Sequence, residues 1–234
     1  HKENVWTSAQ TIHMTITATT ESGDETKALM GDPNEDRSRS VLWEPGDSIK
    51  LMCESHDYAS ECRNTGHIFY NTNNDVSQTA SFEGDIDKAY SILALYPHDI
   101  NVGGMFWNDG LQCNTNTIKL PSIQYYRENN FDKNSFPMAA FKILVPDNDY
   151  TINGPLEFRN LCGVLVLNLT GEDKIKSITM TARYSDGSIA ALSGLADLKR
   201  DESSFYWLHM HGNSPSVTLE CPNVQLDPDT PTPF

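Results

Sequence analysis

Alternation of apolar and polar residues along short segments constrains the fold of this chain more than any other feature. In residues 11–19 every second side chain is apolar, namely Ile12, Met14, Ile16 and Ala18. A period of two residues is typical of a β-strand that buries one face. Comparable patterns predict further strands at residues 48–53, 90–96, 161–169, 175–183, 188–192 and 216–221. Because no segment of about 12 residues or more has a helical period with caps, the sequence predicts an all-β fold.

Turn-forming residues separate these segments. Clusters rich in Gly, Pro, Asn and Asp lie between the predicted strands, and Asp186-Gly187 is a strong hairpin signal. Many short strands with regular turns predict a sandwich or a barrel. The polar, Gly- and Pro-containing stretch at residues 147–155 is the best candidate boundary. We therefore expect an N-terminal β-sandwich domain over residues 1–150 and a C-terminal one over residues 151–234.

The charge balance excludes several classes of partner. The chain carries 32 Asp and Glu against 17 Lys and Arg, which gives a formal net charge of -15. A negative surface repels phosphate backbones and anionic lipids, so the sequence predicts no nucleic-acid binding. No apolar run is long enough for a transmembrane helix. The chain begins at His1 without the regions of a signal peptide, so the residues alone leave the compartment open.

The five cysteines form no C-x-x-C motif, so neither a zinc ribbon nor a thioredoxin-like redox site is indicated. Cys53 and Cys62 flank eight mostly polar residues, and a local disulfide between them is one interpretation. The remaining three, Cys113, Cys162 and Cys221, are expected to lie as small apolar side chains in strands.

No catalytic motif is present: the chain lacks the nucleophile elbow, the phosphate and dinucleotide loops, the zincin helix and the EF-hand loop. We therefore predict no catalytic residue, no cofactor, no metal and no enzyme activity. His209 and His211 would share one face of a strand about 7 Å apart. Since no third ligand is evident near them in the sequence, we interpret them as a histidine pair without a metal.

Two aromatic residues are candidate glycan contacts. Trp107 lies between two glycine-containing turns, and Tyr126 follows another strand. Exposed aromatic rings can stack on sugars. The competing interpretation is ordinary packing of aromatic side chains under loops.

Three basic residues are candidate sites of proteolytic processing. Arg37 and Arg39 lie in a polar segment between two predicted strands, and Lys27 lies in a similar segment. Exposed loops of this kind are natural protease targets. An incidental surface loop is the default interpretation of the residues alone.

A series of short motifs occurs in a recognisable order. They are ITAT (16–19), TKA (26–28), VLWEPGDSIKL (41–51), ASFEG (80–84), ALYP (94–97), FPMA (136–139) and LEFRNLCGVL (156–165). In this order the chain resembles the fimbrillin-like (type V) pilins of Bacteroidetes, and the resemblance covers most of its length. The resemblance implies two transthyretin-like β-sandwich domains. The family continues with further strands beyond the segment that matches residues 230–234, so the second domain is expected to be incomplete, to be completed by a neighbouring chain, or to have been shortened.

The resemblance also implies a location and partners. Members of the family are exported lipoproteins of the outer membrane, so we expect a cell-surface protein whose signal segment and lipid anchor are absent from this chain. The expected partners are other pilin subunits, bound through strand exchange, and host or bacterial surface ligands.

In the family, a protease removes an N-terminal segment that includes the first strand, and the groove left behind accepts a strand from the next subunit. Carried over to this chain, the exchangeable strand holds Ile12, Met14, Ile16 and Ala18, and the cut follows Lys27, Arg37 or Arg39. The chain departs from the family pattern because Thr26-Lys27 replaces the usual Thr-Arg pair. The expected function is a structural or adhesive pilus subunit, and the alternative is a surface glycan-binding lipoprotein that does not polymerise.

Overall fold

A computed structural model describes residues 11–20, 42–54, 66–87, 91–108, 113–128, 130–143, 152, 154–200, 206–211 and 214–234. Within these ranges the chain forms sixteen β-strands and one 3-10 helix, Lys133–Ser135. The strands are β1 (Thr11–Thr20), β2 (Ser48–Glu54), β3 (His67–Asn71), β4 (Thr79–Asp87), β5 (Ser91–Tyr96), β6 (Asn101–Asn108), β7 (Cys113–Leu120), β8 (Ile123–Tyr125), β9 (Met138–Ile143), β10 (Leu156–Asn160), β11 (Asn168–Leu169), β12 (Lys174–Thr181), β13 (Gly194–Arg200), β14 (Tyr206–Met210), β15 (Ser216–Gln225) and β16 (Thr232–Pro233). The predicted all-β fold is confirmed. In the same ranges, no helix has the length and apolar surface that crossing a bilayer requires.

Seven strands close into a barrel in the order β1-β10-β9-β5-β2-β3-β4. The antiparallel ladder between β1 and β4 runs from Thr11 opposite Asp87 to Thr19 opposite Thr79. The parallel ladder between β1 and β10 is much shorter and covers only residues 18–20 opposite residues 156–158. The barrel is therefore closed by a short seam, and β4 holds the first strand along most of its length.

The barrel core is built around a tryptophan. Trp43 is fully buried just before β2, and its ring meets those of Phe82, Tyr96 and Phe158 edge to face. The centroid distances to these rings are 5.1, 5.3 and 5.2 Å respectively, in the range that aromatic pairs prefer. Because the three partners come from β4, β5 and β10, the Trp43 side chain contacts three different strands of the barrel.

A second layer packs against the outside of the barrel. A four-stranded sheet in the order β14-β13-β7-β6 supplies one side of a second core, with Ala196 and Leu198 from β13. Leu93 and Leu95 of β5 supply the other side, while Ile92 and Ala94 of the same strand point into the barrel. The apolar residues on both faces of residues 90–96 predict this central position. The layered packing is compatible with the predicted sandwich, and its transthyretin-like form stays a prediction.

The remaining strands form two small sheets, β12-β15-β8 and β11-β16. The predicted boundary between residues 150 and 151 lies outside the described residues and stays a prediction. Strands from both sides of it share sheets: β10 pairs with β9 in the barrel, and β13 pairs with β7.

Two strand predictions are corrected by the structure. Residues 161–169 were expected to form one strand, but only Asn168–Leu169 does so. Leu161 still donates its N–H to the Pro137 carbonyl at 2.9 Å, and the chain bends at residues 161–162. Residues 188–192 form no strand either, although the predicted turn is present, with Gly187 at φ 84° and its N–H bonded to Tyr184. Both segments have the apolar pattern. Among the described residues, however, no strand forms a long hydrogen-bonded ladder with residues 161–167 or 188–192.

Candidate functional site

The first candidate site is the apolar face of β1. The structure brings the four predicted residues of the exchangeable strand together on one face. Ile16 and Ala18 are buried in the barrel core, at 3% and 0% exposure, and the partly buried Ile12 and Met14 pack against that core. Alternation along β1 produces this arrangement, because side chains two residues apart point to the same side of a strand.

The neighbouring strands supply the rest of this site. Ala80 and Phe82 of β4 and Leu156 and Phe158 of β10 are buried in the same core cluster as Ile16 and Ala18. Without β1, the space between β4 and β10 would be a groove with an apolar floor. Its β4 side would carry a row of backbone groups that have lost their ladder partners.

Polar contacts on the outer face of β1 add little to its attachment. The His13 Nδ1 atom lies 2.8 Å from Asp85 Oδ1, and the Thr15 hydroxyl lies 3.4 Å from Glu83 Oε1. The His13 and Asp85 side chains are about two-thirds exposed, and exposed pairs of this kind contribute about 0–1 kcal/mol. Apolar burial and the β4 ladder are therefore the main forces that hold β1.

A buried carboxylate fixes the turn that leads into β2. Asp47 is 2% exposed, and its side chain accepts hydrogen bonds from Glu44 N–H at 2.7 Å and Tyr96 O–H at 3.1 Å. Lys133 Nζ lies 3.6 Å from Asp47 Oδ1. Burial raises the pKa of Asp47, against the lowering effect of these partners. Burial, followed by the Asp47 charge, raises the pKa of Tyr96 well above its usual range. Sequence analysis did not single out this cluster, although Asp47 ends a turn motif.

The second candidate site is an apolar cleft of about 520 Å³ outside the barrel. Residues 162–167 run along it, and β8, β12 and β15 contribute Gln124, Ile178 and Leu219 to its lining. Leu165 is 59% exposed, and in the described part of the chain residues 163–167 belong to no strand. The cleft is therefore lined on one side by an apolar segment outside the strands, and Leu167 of this segment exchanges two backbone hydrogen bonds of 2.8 Å with Phe234.

One of the two predicted glycan contacts, Tyr126, is described in this cleft. Tyr126 lines it, and its ring centroid lies 5.2 Å from that of Phe234. Burial raises the pKa of Tyr126, and the charge of Glu128 adds to this shift. Trp107 belongs to β6, but its side chain is outside the described part of the structure. The two residues are therefore not shown to act together.

Other predicted residues lie outside the described ranges. Lys27, Arg37 and Arg39 do so, as does Cys62, while Cys53 is described only as part of the β2 backbone. The processing sites and the disulfide therefore stay predictions.

Two other cysteines are free thiols. Cys221 is buried, and Cys162 is partly buried beside the cleft. Burial raises the pKa of Cys162 to about 11, so that thiol is not activated for nucleophilic chemistry.

The histidine pair has a neighbour that sequence analysis missed. His209 and His211 lie near the end of β14 with ring centroids 6.3 Å apart. Asp197 of β13 is the ladder partner of His209, and its Oδ2 lies 2.9 Å from His211 Nε2. As the side chains are placed, no group of three or more His, Cys, Asp or Glu among the described residues could hold a metal ion.

These features define an all-β protein with a closed barrel, a sheet packed on its outside, and two apolar sites, the inner face of β1 and the cleft beside residues 162–167. Comparison of the chain with protein-family models, curated proteins and solved structures finds no match.

Proposed function

We propose that this chain is a structural or adhesive subunit of a bacterial surface pilus that assembles by donor-strand exchange after proteolytic removal of its first strand. The observation that carries the proposal is the position of β1. Its apolar face fills the barrel core, yet only residues 18–20 pair with β10. A strand with this combination leaves a well-formed apolar groove when it departs.

The position of the candidate cuts supports the proposal. Lys27, Arg37 and Arg39 all follow β1 and precede β2 in the sequence. Cleavage after any of them would separate β1 covalently from the rest of the barrel. The ladder and core contacts of β1 would then be its only attachment, and another chain could compete for them.

The chemistry of the vacated groove favours a strand from another subunit. Phe82 and Phe158 would require apolar side chains at alternate positions, and the backbone of β4 would require a ladder partner. An extended segment with period-two alternation satisfies both requirements, which is the basis of β-augmentation. On this proposal, the protein lies at the cell surface and its partners are other pilin subunits.

Limited digestion with an Arg-specific protease tests the proposal. Intact mass identifies the cut, and size-exclusion chromatography measures the size of the product. We expect cleavage after Arg37 or Arg39, loss of the segment that carries β1, and larger assemblies. A cut chain that stays monomeric with its first strand in place would contradict the proposal.

A disulfide lock supplies the matched control. Thr17 and Ser81 face each other across the β1–β4 ladder, so the double variant Thr17→Cys/Ser81→Cys can join the two strands. The cut, oxidised double variant should remain monomeric and assemble only after a reductant is added. The single variant Thr17→Cys should behave as the unmodified chain. Equal assembly of the oxidised double variant would show that β1 does not need to leave.

A glycan-binding surface protein is the second candidate function, and Tyr126 favours it. The cleft that this ring lines has a volume typical of small-ligand sites and places Gln124 and Arg127 beside it. Binding to surface polysaccharides would be measured with the unmodified chain, with Tyr126→Ala and with Trp107→Ala. Tyr184→Ala, which changes an exposed ring outside the cleft lining, is the control. This function would be favoured if Tyr126→Ala and Trp107→Ala lost binding, Tyr184→Ala kept it, and the chain did not assemble.

A further inference from the structure

A face of the outer four-stranded sheet gathers the side chains that a transition metal requires. β13 alternates, so that Ala196 and Leu198 enter the second core while Asp197 points to the opposite face. On β14, Leu208 and Met210 pack against that same core, which places His209 and His211 on the outer face. His209 is exposed, and the His211 and Asp197 side chains are 42% and 17% exposed.

We propose that His209, His211 and Asp197 bind a divalent transition metal ion such as Zn²⁺. The His211–Asp197 pair already has nearly the required spacing, since Nε2 and Oδ2 lie 2.9 Å apart. Tetrahedral zinc with bonds of about 2.0–2.1 Å holds its ligand atoms about 3.3 Å apart. Placing a metal ion between these two atoms therefore needs a movement of only about half an ångström.

As placed in the structure, His209, His211 and Asp197 do not yet form a metal site, so the His209 ring must rotate to supply the third ligand. Its ring centroid lies 6.3 Å from that of His211, whereas two imidazoles on one tetrahedral zinc have centroids about 5 Å apart. The exposed position of His209 leaves its side chain free to make this adjustment. Imidazole nitrogen and carboxylate oxygen are a ligand set that suits zinc, copper and nickel.

The surroundings of Asp197 support the role of a ligand. Thr117 of β7 donates its hydroxyl to Asp197 Oδ1 at 3.3 Å, so one carboxylate oxygen is oriented while the other faces His211. Hydrogen bonds of this kind fix the orientation of metal ligands. Lys119 and Lys199 also belong to this face by register and partly offset the attraction of a cation. The net charge of -15 works in the other direction.

The site leaves a coordination position open. Three protein ligands on tetrahedral zinc leave the fourth position to water or to a donor from another molecule. The proposal is independent of strand exchange, since it involves none of the residues of β1.

Calorimetric titration of the full chain with Zn²⁺ tests the proposal. The variants His209→Gln, His211→Gln and Asp197→Asn should each weaken binding at the site by about tenfold or more. His13→Gln is the matched control, because His13 also contacts an aspartate across two strands, and the β1–β4 ladder residues 11–19 and 79–87 include no second histidine. We expect His13→Gln to bind Zn²⁺ as the unmodified chain does.

Electron paramagnetic resonance of the Cu²⁺-loaded chain provides a second measurement. The unmodified chain should show hyperfine coupling from two imidazole nitrogens, and His209→Gln should show one. Circular dichroism of each variant verifies that the exposed substitutions leave the fold unchanged. Unchanged Zn²⁺ affinity in His209→Gln and His211→Gln, or the same loss in His13→Gln, would overturn the proposal.

Discussion

The substitution Ile16→Ala tests how strongly the core holds the first strand. Ile16 is 3% exposed and lies in the part of β1 that pairs with β4 but precedes the seam with β10. The backbone ladder is unaffected by this change. Any loss of stability therefore reports the apolar contribution of one side chain of the strand that we propose to be exchanged.

The expected magnitude follows from the burial. The change removes three carbons, each worth about 0.8 kcal/mol when buried, or about 2.4 kcal/mol together. The cavity left beside the barrel core adds to this cost, and core substitutions of this type range over about 2–5 kcal/mol. We expect the free energy of unfolding to fall by about 3 kcal/mol. At about 1.4 kcal/mol per factor of ten, opening of β1 becomes about a hundredfold more frequent.

Urea unfolding measures the loss of stability, and hydrogen exchange of the β4 amides measures the opening of the β1–β4 ladder. Thr17→Ala is the control, because Thr17 is the next residue and faces solvent, so its replacement should cost less than about 0.5 kcal/mol. After cleavage, Ile16→Ala should also assemble faster than the unmodified chain. If Ile16→Ala and Thr17→Ala had the same stability, the idea that apolar burial holds β1 would be wrong.

Three further outcomes follow from particular contacts. In Gly84→Ala, the new Cβ would lie 2.7 Å from the Ile68 carbonyl oxygen, so urea unfolding should show a loss of about 1–3 kcal/mol. Gly163→Ala, whose Cβ meets nothing within 4 Å, should change stability little. The raised pKa of Asp47 means that its protonated form stabilises the fold below the ordinary aspartate pKa, and that this contribution is lost as the pH rises through the raised value. Urea unfolding across this range should therefore show the chain losing stability relative to Asp47→Asn as the pH rises, and an opposite slope would refute the assignment. Leu165→Lys should leave the unfolding midpoint unchanged because Leu165 is 59% exposed, whereas Leu156→Lys in the barrel core should abolish folding as followed by circular dichroism.

Alternation allowed the strand class and several positions to be predicted from the sequence. The apolar face of β1 and the two-sided burial of β5 follow directly from the order of their side chains. The turn at Asp186-Gly187 is equally local, since Gly187 adopts the positive φ that glycine favours. In each case the information lies within about ten consecutive residues.

Features that depend on distant residues were not predicted. The Asp47–Tyr96 hydrogen bond joins residues 49 positions apart, and neither residue type indicates the other. Asp197 has one apolar neighbour on each side, and only the β13–β14 ladder brings it beside His211. The pattern of a single sequence does not give the register between strands. It therefore cannot show which ligands on different strands lie side by side.

The failed prediction at residues 161–169 and the proposed exchange of β1 have one physical cause. A period of two residues, or an apolar run, specifies which side chains avoid water, but it does not specify which backbone completes the ladder. Residues 163–167 keep the apolar run and line the cleft, but in the described part of the chain they form no strand of their own. β1 has the same pattern and does have a ladder partner, β4. The contacts that hold it require only alternating apolar side chains on an extended backbone. Any chain that supplies the same alternation could satisfy Phe82, Phe158 and the β4 backbone. Strand exchange therefore requires no new chemistry in this barrel, only a cut between β1 and β2 and a competing strand.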